Sequence, residues 1–381
     1  MILLATPNIS GREGEYLQDC IASTFVSTVG PFVTRFENMV AESAGASHGV
    51  ATSAGTTGLH AAFVAAGVEA GDLVIAPAMT FVATCNAIAH TGAIPWLMDI
   101  SGDSWTLNPA LVVDSLARET HREGDRVVHT PSGRRVAAIA PVYTLGTPAD
   151  MDTLVATARE YGLPVVADAA AALGASYKGR ATGNLGADLT MYSFNGNKTV
   201  TAGGGGAIVG NDEVLMKRLR HLTTTARVGA DYDHDVVGFN YRMTNLQAAV
   251  GCAQMERLDE FTEAKRGIAK RYDDELGGLP GVGTFPRPEW AESACWFSGI
   301  VLDDCDSDRS ASLRASLREK DIDARPFWKP MHMQAPFRDA PCSAMIVTEA
   351  LWTRVLTLPC STHLTEDEQG RVIAAVRAVL V

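Results

Sequence analysis

The sequence predicts an α/β protein, with helices covering both faces of a mixed, mostly parallel sheet and a smaller α/β domain after it. Short apolar runs alternate with helical patterns through the first two thirds of the chain, which is typical of parallel sheets. A Gly/Pro-rich break at 277–281 then marks a candidate linker. We expect an N-terminal arm at 1–12, a large domain at 13–258 and a small C-terminal domain at 259–381.

Each element follows from the residue pattern, taken in chain order. Turn formers in 7–11 predict an extended arm. Helical spacing or composition predicts helices at 13–25, 33–44, 59–67, 149–161, 246–258 and 265–276, with two more near 309–320 and 366–379. A basic helix is expected after Asn211, its candidate N-cap. Apolar runs predict strands at 48–53, 73–77, 93–99, 136–142, 163–167 and 189–194. The charged stretch 118–135 reads as a surface excursion such as a hairpin.

Composition excludes several classes of protein. The chain has 381 residues, 46% of them hydrophobic, and a net charge of −12, which disfavours nucleic acid as a partner. It has no run of about 18 apolar residues, so no membrane span is expected. The seven cysteines include no C-x-x-C pair, which favours reduced thiols in a cytoplasmic protein without a metal site.

Lys198 is the first candidate for chemistry. It follows a predicted strand and the turn signal Asn195-Gly196, and it precedes four consecutive glycines at 203–206. Glycine allows a close approach of backbone to a ligand or another strand. A lysine buried in such a place loses its proton more readily and can form a Schiff base. A solvated loop lysine beside a glycine hinge would show the same local pattern.

Asp168 ends another predicted strand and is followed by four alanines. An acid among small apolar residues is costly unless a cationic partner is near, and ligands of such sheets bind at the carboxyl ends of the strands. An acid and an amine at these ends are the pair that pyridoxal phosphate needs. The acid keeps the ring nitrogen protonated, and the lysine carries the aldehyde and moves the substrate proton.

The turn from the strand at 48–53 into the next helix is a candidate phosphate site. Gly55, Thr56 and Thr57 occupy this turn, where free backbone N–H groups and hydroxyls can face an anion. Ordinary helix capping by Thr56 or Thr57 would explain the same residues. Phe81, just past a strand end, could stack on a flat ring or belong to the core.

Six stretches together resemble one family over nearly the whole chain: 55–60, 77–84, 148–152, 168–170, 193–198 and 238–243. The chain resembles the DegT/StrS-type nucleotide-sugar aminotransferases, which are fold-type-I pyridoxal phosphate enzymes. The resemblance implies that Lys198 is the Schiff-base lysine, that Asp168 pairs with the ring nitrogen and that Phe81 lies against the ring. It places further cofactor contacts at Gly55, Thr56, Thr57, Ser193 and Asn195. Asn240 would reach the phosphate of the neighbouring subunit, which implies a homodimer with shared sites.

The resemblance also implies a substrate. Stretches 193–198, 218–226 and 325–332 are similar to transaminases that act at C4 of UDP-linked 4-keto-6-deoxy-N-acetylhexosamines in bacillosamine and legionaminic acid pathways, with glutamate as the expected amino donor. Lys329 or His332 could then face the nucleotide sugar. Alternatively, Trp328 and His332 pack the domains together.

Two positions depart from the family pattern. Ala171 stands where the family usually has Glu or Gln near the ring hydroxyl, and Tyr143 stands where it usually has His. These departures support an alternative enzyme of the same fold, acting on a non-nucleotide keto sugar or an antibiotic-pathway intermediate with Tyr143 near the substrate. A non-catalytic sensor is opposed by the Asp168/Lys198 pair, and an NAD(P) oxidoreductase lacks its glycine fingerprint.

Overall fold

The computed structural model describes residues 1–303 and 307–380. Its helices are α1 Glu13–Ser23, α2 Pro31–Ala44, α3 Gly55–Ala65, α4 Val82–His90, α5 Pro109–Glu119, α6 Met151–Tyr161, α7 Glu213–Thr223, α8 Asn245–Met255, α9 Leu258–Leu276, α10 Ser307–Glu319, α11 Ile346–Leu351 and α12 Glu366–Leu380. Cys305, one of the cysteines expected to be reduced, lies outside the described residues. The other six are free thiols.

The strands form several sheets. They are β1 His48–Thr52, β2 Leu73–Pro77, β3 Ile94–Met98, β4 Thr120–Glu123, β5 Arg126–His129, β6 Arg134–Ile139, β7 Val166–Asp168, β8 Ser176–Tyr177, β9 Arg180–Ala181, β10 Leu189–Ser193, β11 Gly206–Gly210, β12 Arg227–Val228, β13 Asp233–His234, β14 Val282–Gly283, β15 Ala291–Glu292, β16 Ser298–Leu302, β17 Arg325–Pro326 and β18 Val355–Leu358.

The large sheet combines two sets of strands, β1-β11-β10-β7 and β3-β2-β6-β5-β4. Parallel bridges from Ile139 to Val165 and from Val142 to Asp168 join the two sets. Strand β10 is parallel to β7, and β2 is parallel to both β3 and β6, whereas β11 runs antiparallel to its neighbours. The predicted mixed α/β fold is therefore confirmed.

Helices cover both faces of this sheet because successive strand residues point to opposite sides. On β11, Ile208 joins a core shared with α3, α4 and α7, while Val209 joins the core shared with α1, α2, α5, α6 and α8. Strands β2 and β11 of this sheet are buried throughout. Buried runs of this kind are typical of sheets covered on both sides.

The C-terminal part has its own antiparallel sheet, β14-β16-β18-β17, packed against α9 and α12 around a separate core. The predicted boundary after residue 258 falls at the start of α9, whose Phe261 packs in the large core and whose Tyr272 packs in the small one. The N-terminal arm joins this part, since Ile2 pairs with Ile322 and the Leu4 carbonyl accepts from the Cys360 N–H at 2.8 Å.

Several elements differ from the sequence predictions. The predicted hairpin is present as β4 and β5, and it extends the sheet beyond β6. Helices α4 and α5 were not predicted. Asn211 is not the cap of α7. Its side chain accepts from Ser47, and Asp212 caps the helix by accepting from Val214 N at 2.8 Å and Leu215 N at 3.0 Å. In the described part of the chain, no helix is long and apolar enough to cross a membrane.

Candidate active site

A cavity of about 540 Å³ lies at the carboxyl ends of β7 and β10. Its floor comes from the large sheet, through Asp168, Ser193 and Lys198, and its opposite wall comes from the C-terminal part. Leu4 of the N-terminal arm also lines it. The cavity thus brings together the strand-end residues that the sequence predicted to be neighbours.

Asp168 is held at the bottom of this cavity. Its residue is 5% exposed, and its carboxylate accepts from the Thr84 hydroxyl at 2.7 Å and from the Ala170 N–H at 3.0 Å. Burial raises the pKa of Asp168, while these two hydrogen bonds and the charge of Lys198 oppose the rise. The two hydrogen bonds favour the ionised carboxylate, which can pair with a cation inside the cavity.

Lys198 lies in the turn that follows β10. Its N–H donates to the Asn195 carbonyl at 3.0 Å, and its Nζ lies 3.5 Å from the centre of the Trp296 ring. Burial lowers the pKa of Lys198 to about 7, and the charge of Asp168 opposes that fall. A substantial fraction of the amine is therefore unprotonated and nucleophilic at neutral pH.

The start of α3 faces the same cavity. A Cβ at Gly55 would lie 3.2 Å from the Met191 sulfur and 3.2 Å from the Ser193 Cβ, and a Cβ at Gly206 would lie 2.8 Å from the Ala54 carbonyl oxygen. A side chain at Gly206 would therefore collide with the backbone at the start of the helix, and one at Gly55 would be tightly packed, so the two glycines let the helix begin directly on β10 and β11. The free N–H groups of its first turn then point at the cavity, where an anion would be stabilised.

The structure places the other predicted phosphate ligands at different distances from the cavity. Thr56, Ser193 and Asn195 line it. The Thr57 hydroxyl instead closes the helix start, accepting from Ala54 N at 3.1 Å and donating to the Ala54 carbonyl at 2.9 Å. Asn240 is exposed and does not line the cavity of its own chain. Its role stays a prediction that depends on a second subunit.

An aromatic wall closes one side of the cavity. Trp328 lies 5.9 Å from Phe81 and stacks on Phe327 at 4.9 Å, and Trp296 stacks on Phe297 at 3.9 Å between ring centres. Phe81 is 55% exposed, so its ring is available to a flat ligand. Stacking on aromatic faces is a common way to hold planar rings.

The three predicted substrate residues do not come together. Tyr143 lines the cavity, but its hydroxyl is buried without a hydrogen-bond partner among the described residues. Burial raises its pKa, and the Tyr192 and Tyr177 phenols add to the rise. Lys329 is exposed outside the cavity, and His332 Nε2 lies 3.0 Å from Glu349 Oε1. Substrate contact by these residues stays a prediction.

Three residues of the site were missed from the sequence. Thr84 bonds to Asp168, Trp296 covers Lys198, and Arg325 lies at the cavity rim, where its guanidinium pairs with Asp323 at 3.1 Å. Thr84 lies in a stretch that matched the family, but nothing in its local pattern shows which acid it meets. Trp296 precedes a buried strand and gives no signal of its contact with Lys198, 98 residues earlier in the sequence.

The cavity fits pyridoxal phosphate on the chain's own geometry. The helix start at Gly55 accepts a phosphate without a side chain in the way, and Asp168 would hold the proton on the ring nitrogen. Lys198 supplies an amine of lowered pKa, and Phe81 would cover one ring face. When bound, the cofactor supplies the electron sink for the reaction. Fold and site together define a pyridoxal phosphate-dependent transferase of fold type I.

Comparison with known proteins narrows this class. A model of the DegT/DnrJ/EryC1/StrS aminotransferase family matches residues 7–377. EpsN of Bacillus subtilis (strain 168), which carries the name of a pyridoxal phosphate-dependent aminotransferase, is 38% identical over 377 residues, covering 98% of this chain and 94% of its own. GDP-perosamine synthase of Caulobacter vibrioides is 36% identical over 385 residues, covering 100% of this chain and 98% of its own.

Solved structures agree with the sequence comparison. A family aminotransferase from Brucella abortus has a TM-score of 0.87 at 28% identity, with 97% of this chain and 95% of that chain covered. DesV of S. venezuelae has a TM-score of 0.86 at 30% identity, with 96% and 94% covered. The chain belongs to the DegT/DnrJ/EryC1/StrS aminotransferase family. It is a pyridoxal phosphate-dependent sugar aminotransferase.

Proposed function

We propose that the enzyme transfers an amino group from L-glutamate to C4 of a UDP-linked 4-keto-6-deoxy-N-acetylhexosamine. One observation supports the proposal: Lys198 and Asp168 face one cavity that has the start of helix α3 at one side and an aromatic wall at the other. The lysine, the acid and the helix start suit amino-group transfer. The aromatic wall gives a large substrate with a flat ring a surface to stack on.

The nucleotide-linked substrate draws support from the relatives. GDP-perosamine synthases of Caulobacter vibrioides and Vibrio cholerae share 36% and 34% identity with the chain, and their name describes a nucleotide-linked amino sugar. The choice of UDP and of an N-acetylhexosamine comes from the resemblance of stretches 193–198, 218–226 and 325–332. A GDP-linked keto sugar is the second candidate, favoured by the names of these relatives.

The catalytic residues follow from the same geometry. Lys198, part of the cavity floor and with a pKa lowered to about 7, would hold the cofactor through its aldehyde and would serve as the group that moves the substrate proton. Asp168, buried and anchored by Thr84, would keep the ring nitrogen charged. Arg325, at the rim and 66% exposed in its side chain, would meet an anionic group of either substrate.

A homodimer with shared sites completes the proposal. Asn240 lies outside its own cavity, at the end of a loop that exposes large apolar side chains: Tyr232 and Val237 are each 85% exposed. Apolar groups exposed in one segment are typical of a surface that another subunit covers. A two-fold axis would then present Asn240 to the partner's cavity and receive the equivalent residue in return.

A matched set of acceptors tests the function. Purified enzyme is supplied with L-glutamate and UDP- or GDP-linked 4-keto-6-deoxy sugars, with and without the N-acetyl group, and the aminated product is measured by mass spectrometry. We expect turnover with the UDP-linked N-acetyl sugar and none with Lys198→Ala under the same conditions. Turnover restricted to GDP-linked sugars would refute the UDP assignment. Equal turnover with free keto sugars would favour the non-nucleotide alternative.

A further inference from the structure

Trp296 makes two contacts with the segment that carries Lys198. Its ring centre lies 3.5 Å from Lys198 Nζ, well inside the range of about 6 Å in which a cation is attracted to an indole face. Its Nε1–H donates to the Asn197 carbonyl at 2.7 Å. One side chain therefore touches both the amine and the backbone next to it.

Trp296 is itself fixed from behind. Its residue is 4% exposed, and its N–H donates to the Leu145 carbonyl at 3.0 Å. The buried amine of Lys265 donates to the Trp296 carbonyl at 2.9 Å and also to the Cys360 carbonyl. These bonds fix the backbone of Trp296, and its ring stacks on Phe297 at 3.9 Å between ring centres, so the ring has little freedom to leave the lysine.

We propose that Trp296 is a positioning residue for Lys198: its ring face holds the charged form of the free amine, and its Nε1–H fixes the turn that carries it. Lys198 must be free of the cofactor for part of every catalytic cycle, and Trp296 fixes the position of the free amine during that part. The inference rests on the proposed role of Lys198. Its readout is taken on cofactor-free protein, so that it can fail or succeed separately from turnover.

The charged neighbours of this pair are few among the described residues. Asp168 faces Lys198 from β7 and favours its protonated form. Arg325 lines the same cavity from β17, and Lys265 lies behind the Trp296 backbone on α9. None of these groups changes when the electron density of the indole ring is altered. A change in the ring therefore alters, at the lysine, only the two contacts that Trp296 itself makes, with the amine and with the Asn197 carbonyl.

Fluorinated tryptophan at position 296 makes that change without altering the fold of the site. Fluorine withdraws electrons from the ring face, so the charged amine is held less well and the pKa of Lys198 should fall with each added fluorine. From the strength of a cation–π contact, the fall should reach about 0.5 to 1.5 for the tetrafluorinated ring. The pKa is read from the pH dependence of Lys198 acylation in the full-length, cofactor-free chain, by peptide mass spectrometry.

Two controls test the role of the ring face and the role of the indole N–H separately. Fluorination at Trp290, which packs on Tyr177 instead, should leave the pKa of Lys198 unchanged. Trp296→Phe keeps a ring face but removes the indole N–H, so amide hydrogen exchange in 194–199 should become faster. A Lys198 pKa that ignores fluorination at 296 would overturn the ring-face role. Unchanged exchange in Trp296→Phe would overturn the role of the hydrogen bond.

Discussion

The hydrogen bond from Thr84 stabilises the charged form of Asp168 and so lowers the pKa of that acid. Thr84 is fully buried in the first turn of α4 and donates to Asp168 at 2.7 Å. A hydrogen bond to a charged group contributes about 1.5–3 kcal/mol. At 1.36 kcal/mol per pKa unit, its loss in Thr84→Val should raise the pKa of Asp168 by about 1 to 2.

The sign of the pH dependence follows from the direction of the pKa change. Burial already holds the pKa of Asp168 above its ordinary value, so ionised Asp168 costs stability in the folded chain above that pKa. In Thr84→Val the cost is larger. It should be fully present near pH 8 and should vanish as the pH falls through the folded pKa, where Asp168 is protonated in both proteins.

Urea denaturation of cofactor-free protein measures this difference. Thr84→Val should lose about 1.5–3 kcal/mol of unfolding free energy at about pH 8, relative to the parent chain, and the loss should disappear once the pH falls below the raised pKa of Asp168 in the parent chain. Thr84→Ser is the matched control. It keeps the hydroxyl and loses one methyl group, which costs about 0.8 kcal/mol at every pH. An equal loss for Thr84→Val at both ends of the pH series would refute the reasoning.

The remaining predictions concern the site residues themselves. Lys198→Ala should fold but lose cofactor absorbance and all turnover, and cofactor that borohydride can still trap in the mutant would contradict the assignment. Asp168→Asn should keep its fold and some cofactor while turnover falls by orders of magnitude, because an amide cannot hold the ring nitrogen protonated; near-normal rates would make Asp168 a structural acid. Mixed subunits of Asn240→Asp and Lys198→Ala should regain one active site per heterodimer, and no gain over either parent after verified subunit exchange would argue against shared sites. Ala171→Glu should bind cofactor as well as the parent and keep substantial turnover if water occupies the space beside Ala171; normal cofactor binding with a sharply raised KM for the acceptor would assign that space to the substrate.

The residues that end strands were the most predictable part of the site. Asp168 and Ser193 are the last residues of two neighbouring parallel strands, whose carboxyl ends lie at one edge of the sheet. Short apolar runs mark such strands clearly. Lys198 lies in the turn after the second strand. That it lies near Asp168 could therefore be predicted from the order of the strands.

Helix starts were harder to predict because their signals were weak or misleading. Helix α3 begins at Gly55, before the predicted residue 59, and its capping position is Ala54, which has no side-chain acceptor. Helix α5 did carry a signal that was missed: the Asn108 side chain accepts from Ala110 N at 3.1 Å and Leu111 N at 3.2 Å. An Asn-Pro pair ahead of an apolar pattern is a recognised helix start.

Contacts between distant segments lay beyond the sequence patterns. The contact of Trp296 with Lys198 and the pairing of His332 with Glu349 depend on how the C-terminal part packs on the large sheet. Local spacing carries no information on that packing. Lys329 and His332 come one and four residues after Trp328, which does line the cavity, but neither of them lines it.

The pairing of the N-terminal arm limits the order in which the parts of the enzyme can fold during synthesis. Ile2 exchanges hydrogen bonds with Asp321 and Asp323, and Leu4 accepts from Cys360 while lining the cavity. Residues 2–4 must therefore wait for partners more than 300 positions later in the chain before this wall can form. Domains usually fold as units in the order in which they are made, so the large sheet can fold early while the cavity stays open. The complete cavity can therefore form only after residue 360 has been translated.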